Sequence, residues 1–195
     1  MRMDVKIKTD DYNFKMRVSG IIIQNNKILV TDMDDSGFLC LPGGYVELGE
    51  TTEEAVLREL KEEICLDFKI KKYLGVAENY FINKFSKKIH EISFYYLVNP
   101  CKKINSGDFT LFENDKGGII KHDFKWIDIS LIDKYDIRPV FIKEILQKKK
   151  KVFNHIIINK SNWFLMRFYD ILRFVKYKFL WYINTRQKDT KFENF

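Results

Sequence analysis

The chain has 195 residues, 46% of them hydrophobic and 31% charged, with a formal net charge of +7. That apolar content excludes a disordered chain, and nine glycines and three prolines exclude a collagen-like or linker composition. The length suits one domain with an appendage, and no apolar run reaches the roughly 18 residues of a membrane span.

In chain order, the apolar, β-branched run Arg17-Val18-Ser19-Gly20-Ile21-Ile22-Ile23 predicts a strand. Gln24-Asn25-Asn26-Lys27 predicts a turn, and Ile28-Leu29-Val30 returns as a second strand. A further turn is expected at Asp34-Asp35-Ser36-Gly37, then a short strand from Phe38 to Leu41, ended by Pro42-Gly43-Gly44. Thr51 to Ile64 reads as a helix, with Thr51 and Glu54 as a capping box and Ala55, Val56 and Leu60 as its apolar stripe. Strands follow at 70–78, at 91–98, where Ile92, Phe94, Tyr96 and Val98 alternate, and at 124–127. Pro139 is expected in the first turn of a helix running to about Gln147. Strands mixed with two helices predict an α/β domain with helices covering a mixed sheet.

The charge is uneven. Residues 141–195 carry 13 Lys/Arg against 4 Asp/Glu, and 13 of the 30 aromatics. The expected division is a near-neutral domain at 1–147 and a basic, aromatic, helical extension at 148–195, entered through Lys148-Lys149-Lys150-Lys151. Within it, Trp163 to Ile183 is expected to be helical. The bland reading packs that helix on the domain or across a homodimer. A basic aromatic helix also suits an anionic membrane surface, or RNA phosphates and bases. Cys40, Cys65 and Cys101 are odd in number and form no CxxC pair, and Met1-Arg2-Met3-Asp4 opens no apolar leader. The expectation is a cytoplasmic protein with reduced thiols.

The chemistry lies between Gly44 and Leu66. Glu59, Glu62 and Glu63 are spaced i, i+3, i+4, so they share one helical turn. At an effective dielectric of about 20, each pair at about 6 Å would repel by roughly 2–3 kcal/mol. A divalent cation would relieve that repulsion, and Mg²⁺ prefers carboxylate oxygens and bridges to phosphates. Arg58 is placed to pair with Glu50 and so orient Glu59. Gly43-Gly44 permits close backbone approach, with the Gly44 carbonyl available to a metal.

This segment, GYVELGETTEEAVLRELKEEICL at 44–66, resembles the Nudix box, Gly-x5-Glu-x7-Arg-Glu-U-x-Glu-Glu-x-Gly-U, where U is a bulky aliphatic. Leu41-Pro42-Gly43, the Arg17-Val18 strand, Trp126-Ile127 and Pro139 extend the likeness loosely over about 15–147. The resemblance implies an α/β/α sandwich and a pyrophosphohydrolase. Such an enzyme uses Mg²⁺ or Mn²⁺ to cut a nucleoside diphosphate linked to another moiety. Nucleoside triphosphates, ADP-ribose and nucleotide sugars are the implied substrates. By position, Glu59, Glu62, Glu63 and Gly44 match the metal site. Glu62 or Glu63, with Arg58 beside them, match the groups that ready the attacking water. A fourth carboxylate is implied from outside the box: Glu91 is nominated, with Glu78 and Glu113 competing. Tyr80 or Phe112 is a candidate to stack on a base. The alternatives are an RNA 5′-end pyrophosphohydrolase or decapping enzyme, and a non-catalytic nucleotide sensor. One position departs from the pattern, because the last glycine of the box is Cys65. A left-handed non-glycine there costs about 1–2 kcal/mol and need not touch the carboxylates.

Overall fold

A computed structural model describes residues 3–33, 37–83, 87–115, 118–147 and 154–158. The first strands are β1 (Lys6–Lys8), β2 (Tyr12–Gln24), β3 (Lys27–Met33) and β4 (Leu39–Cys40). Helix α1 (Thr52–Ile64) follows, and then β5 (Phe68–Ile82), β6 (Lys88–Pro100), β7 (Phe109–Asp115) and β8 (Gly118–Asp128). A 3₁₀ turn (Ile129–Lys134), β9 (Ile137–Arg138), α2 (Phe141–Gln147) and β10 (His155–Ile158) complete it. Among these residues no helix is long and apolar enough to cross a membrane.

The β2–β3 turn forms because Asn25 and Asn26 accept positive φ, 51° and 60°, which a two-residue hairpin of matching twist demands. The sheet order is β10-β5-β6-β2-β3-β4-β9, with β8 on β3 and β7 on β8. It is mixed: β2 runs parallel to β6 from Tyr12↔Lys88 to Ile22↔Val98, while β5 and β6 form a long antiparallel hairpin.

Alternation along β2 sends Val18 and Ile22 to one face and Ile21 to the other. Val18, Ile22, Leu29 and Trp126 pack with Val56, Leu60 and Ile64 of α1. On the opposite face Ile21, Ile28, Val30 and Tyr95 pack with Ile132, Ile142 and Ile145 around α2. The result is the expected α/β/α sandwich. Gly20 lets the first layer close, since a Cβ there would meet Leu60 Cδ1 at 2.7 Å.

The sheet parts beside residues 42–46. β2 pairs with β3 only at Ile23↔Ile28 and Gln24↔Lys27. Beyond that, residues 42–46 take over its edge. Gly20 N donates to Pro42 O (2.9 Å), Val18 N to Gly44 O (3.0 Å) and Val46 N to Met16 O (3.1 Å).

Several expectations are corrected. Helix α2 starts two residues after Pro139, whose carbonyl accepts from Ile142 N at 3.2 Å, so the proline precedes the first turn. Residues 155–158, assigned to a helical extension, form β10 and lie parallel to β5. The β-branched run His155-Ile156-Ile157-Ile158 suits an edge strand better than a helix. The Trp163–Ile183 helix and the 34–36 part of the second turn lie outside the described residues. Strands β1, β7 and β9 had no sequence expectation.

Candidate active site

Helix α1 opens as expected. Thr51 Oγ1 accepts from Glu54 N at 3.2 Å, and Glu54 Oε2 accepts from Thr51 N at 2.8 Å. This fixes the helix start, and the buried stripe Ala55, Val56, Leu60 and Ile64 fixes its rotation. Arg58, Glu59, Glu62 and Glu63 are thereby turned towards the parted sheet.

Arg58 organises that turn. It grips Glu50 with two bonds, Nη2 to Oε1 at 2.7 Å and Nε to Oε2 at 3.1 Å. Its Nη1 donates to Glu59 Oε1 (2.8 Å) and Glu62 Oε2 (2.9 Å), and Nη2 also donates to the Tyr45 carbonyl at 2.9 Å. Burial opposes its charge, but the bonds to Glu50 and Glu59 outweigh burial and hold its pKa above the ordinary value. The expected Arg58–Glu50 pairing and the orientation of Glu59 are both present.

The carboxylates crowd where charge is costly. Glu63 is only 3% exposed, and its Oε2 accepts from Gly43 N at 2.9 Å. Burial raises its pKa well above the ordinary value, and the nearby Glu59 and Glu113 push the same way. Burial also pushes Glu59 up to about 7; Arg58 opposes this, and Glu62 adds to it. Glu113, from β7, brings a fourth carboxylate. One oxygen each from Glu59, Glu62 and Glu113 fall within 4.8 Å of one another, and so do single ligand atoms of Glu63, Glu113 and His122. His122 is fully buried on β8, with Nε2 3.0 Å from Glu113 Oε2.

The glycines are spatial requirements. A Cβ at Gly44 would stand 2.0 Å from Glu59 Oε2, and one at Gly43 (φ 135°) would stand 2.3 Å from the Val18 carbonyl. The Gly44 carbonyl already accepts from Val18 N, which leaves one lone pair for any other partner. A divalent cation fits this donor set: several carboxylate oxygens, one of them buried and the others partly so.

A family model for the NUDIX domain matches residues 14–147. The chain belongs to the Nudix family. A curated relative from Methanocaldococcus jannaschii, named ADP-ribose pyrophosphatase, is 53% identical over 62 residues, 30% of this chain and 37% of that protein. A Bacillus subtilis relative named putative ADP-ribose pyrophosphatase is 26% identical over 109 residues, 56% of this chain. An Escherichia coli 8-oxo-dGTP diphosphatase is 47% identical over 45 residues, 21% of this chain and 35% of that one. The chain thus spans 37% and 51% of the lengths of the first two curated relatives. Among solved structures, a NUDIX hydrolase from Nitrosomonas europaea is 21% identical, with a TM-score of 0.46; the match covers 72% of this chain and 92% of that one.

Beyond the Nudix box, the structure separates the other nominated residues. Glu113 joins the box glutamates. Glu91 does not. It is 8% exposed, paired with Lys15 Nζ at 2.8 Å and accepting from Ser93 Oγ at 3.1 Å. The physical reason is register: β2 and β6 run parallel with Lys15 beside Glu91. Tyr80 donates to Glu78 Oε2 at 3.0 Å and stacks on the His90 ring at 4.4 Å, so it faces the β5–β6 hairpin. Phe112 is 66% exposed on β7. His122 was missed, and only the β7–β8 pairing, which sets Leu111 opposite His122, would have revealed it. Cys65 adopts φ 59° and ψ 28°, the left-handed conformation that the missing glycine would take. Its N–H still donates to the Lys61 carbonyl at 3.0 Å.

Proposed function

We propose that this Nudix protein is a pyrophosphohydrolase that uses Mg²⁺ or Mn²⁺ to cut the phosphoanhydride of a nucleoside diphosphate linked to another moiety. The observation that carries this reading is that Glu59, Glu62 and Glu63 each bring a carboxylate oxygen close to Glu113, beside Arg58 held in one orientation by Glu50. Glu59, Glu62 and Glu63, with Glu113 and the Gly44 carbonyl, would hold the cation. When bound, it would neutralise the bridging phosphates and stabilise charge on the phosphoryl oxygens. Arg58 keeps Glu59 and Glu62 in one orientation. A carboxylate of the Glu62–Glu63 pair accepts the proton of the attacking water. Gly44 leaves room for the Glu59 carboxylate, and the Gly43 N–H holds Glu63.

The relatives' names make ADP-ribose and oxidised nucleoside triphosphates the first substrates to try. A nucleotide sensor without catalysis is the weaker reading, since binding alone gives no reason to crowd four carboxylates. The RNA 5′-end reading leans on the basic tail, almost all of which lies outside the described residues. The cytoplasm is the proposed compartment, and three unpaired cysteines support it.

The test is a panel of nucleoside triphosphates, ADP-ribose, nucleotide sugars and capped RNA with Mg²⁺ or Mn²⁺, read by release of monophosphate. Metal-dependent release is expected with at least one of them. Wild-type turnover in a Glu62→Ala/Glu63→Ala protein would place the chemistry elsewhere.

A further inference from the structure

Lys6, Lys8, Lys15 and Arg17 stand in a row next to the glutamate cluster, and the site described above does not use them. β1 runs antiparallel to β2, with Lys6 opposite Lys15 and Lys8 opposite Asn13. Side chains two apart on a strand share a face, so Lys15 and Arg17 project to the same side as the two lysines across from them. Like charges directly opposite each other weaken a strand pair. Asp4 and Glu91 offset the one opposed pair, Lys6 and Lys15, while Lys8 faces an uncharged residue, Asn13.

The space for an anion is there. Lys6, Lys8 and Lys15, with Tyr45, Phe81 and Asn83, line a cavity of about 150 Å³. Aromatic rings steady the cations: Lys6 Nζ lies 5.1 Å and Arg17 Cζ 5.5 Å from the Tyr45 centroid, and Lys15 Nζ lies 5.2 Å from that of Phe81. Asp4 pairs with Lys6 and Glu91 with Lys15. Three lysines line the cavity against those two carboxylates, a positive lining that suits a phosphate group.

Tyr45 links the cavity to the glutamate cluster. It lines the cavity with its ring, follows Gly44 in the chain, and gives its carbonyl to Arg58. Arg17 Nη2 donates to the Gly43 carbonyl at 2.8 Å. Its other N–H donors make no hydrogen bond among the described residues, and the carboxylates of Glu91 and Glu63 face its charge.

We propose that this cavity is an anion subsite for a phosphate group beyond the anhydride that is cut, so that nucleotides with three or more phosphates are taken in preference to those with two. It deepens the pyrophosphohydrolase reading and rests on it for the position of the cut bond. Lys6 and Lys8 contact the distal phosphate, and Arg17 contacts the phosphate next to the metal-binding glutamates.

The experiment has two arms on the full chain. In the first, kcat/KM is measured with Mg²⁺ for ATP and for ADP-ribose, which share adenosine and differ in the third phosphate. The ratio of the two should fall at least tenfold in Lys6→Gln/Lys8→Gln, with the loss in KM for ATP. It should stay within about twofold in Lys69→Gln/Lys71→Gln, which removes the same charge from the far end of β5. In the second arm, calorimetry compares inorganic tripolyphosphate with pyrophosphate. Tripolyphosphate should bind at least tenfold tighter to the wild type, and Lys6→Gln/Lys8→Gln should lose that preference. Equal affinity for the two polyphosphates in the wild type, or an unchanged preference in the double variant, overturns the subsite. If no substrate is cut at all, the pyrophosphohydrolase reading fails, and the polyphosphate arm still decides this one.

Discussion

Glu63 and Glu91 are both buried glutamates, 3% and 8% exposed, yet their surroundings are opposite. Burial alone would raise both. Around Glu91, Lys15 and Arg17 overcome burial and lower the pKa below the ordinary value. Around Glu63, the neighbours Glu59 and Glu113 are themselves acids, so burial and repulsion add. A buried carboxylate with its own cation is a structural ion pair. One surrounded by other carboxylates is incomplete, and in this fold it faces the point where the sheet parts. The difference tells a candidate metal ligand from a strut, although both carry the same side chain.

The largest way to break this contrast is Glu63→Gln. Under the proposed chemistry, losing this carboxylate charge should lower turnover by roughly a hundredfold or more, with Glu91→Gln within about tenfold per folded molecule. Steady-state rates on the best substrate check this, and equal losses would erase the distinction. Stability should rank the two the other way. Glu91→Gln leaves Lys15 without its anion and should cost about 2–3 kcal/mol in urea unfolding. Glu63→Gln relieves repulsion and should cost less than 1 kcal/mol or nothing, an order-of-magnitude expectation.

The pH dependence sharpens the comparison further. Burial pushes Glu59 up to about 7, so the folded, metal-free protein holds that proton more tightly than the unfolded chain does. Its effect on stability is therefore a loss as pH rises from the ordinary carboxylate range to about 7. Glu91 works in the opposite sense: its contribution is present above the ordinary range and is lost as pH falls through its lowered folded value. Thermal melts in chelator should show Tm declining towards neutral pH. The decline should be shallower in Glu59→Gln and reduced by millimolar Mg²⁺ or Mn²⁺. A flat profile that metal does not change would contradict the account of the cluster.

The smallest expected effect is at Cys65, outside both regions. Its φ of 59° is ordinary for glycine and strained for cysteine. Cys65→Gly should stabilise the protein by about 1 kcal/mol and change turnover less than threefold, as an order of magnitude. A rate gain of a hundredfold would tie this helix end to the chemistry.

The acidic turn was legible early because its parts are local. The capping box, the apolar stripe and the Arg58–Glu50 contact all lie within one loop and one helix, where spacing alone sets geometry. The β2–β3 hairpin was legible for the same reason. The fourth carboxylate was not. Glu91, Glu78 and Glu113 are each strand residues, and nothing in their local sequence says which sheet face meets α1. Glu113 reaches the cluster only because β7 folds back on β8. Strand β10 was hidden by the lysine run that suggested a boundary before it, although residues 155–158 add to the edge of β5. Any truncation meant to remove the tail should therefore cut after residue 158.

The sequence by itself determined the family, the acidic helical turn and its arginine, because helical spacing and capping act over a few residues. The tertiary structure alone decided which buried glutamate has a cation and which has other acids. It also decided that Glu113 and His122 meet, and that β1 sets lysine against lysine beside the cluster. Those outcomes depend on strand register and on which strands become neighbours. Both are set by how the two faces of the sheet bury their apolar residues, and pairing between distant strands leaves no local mark in the chain.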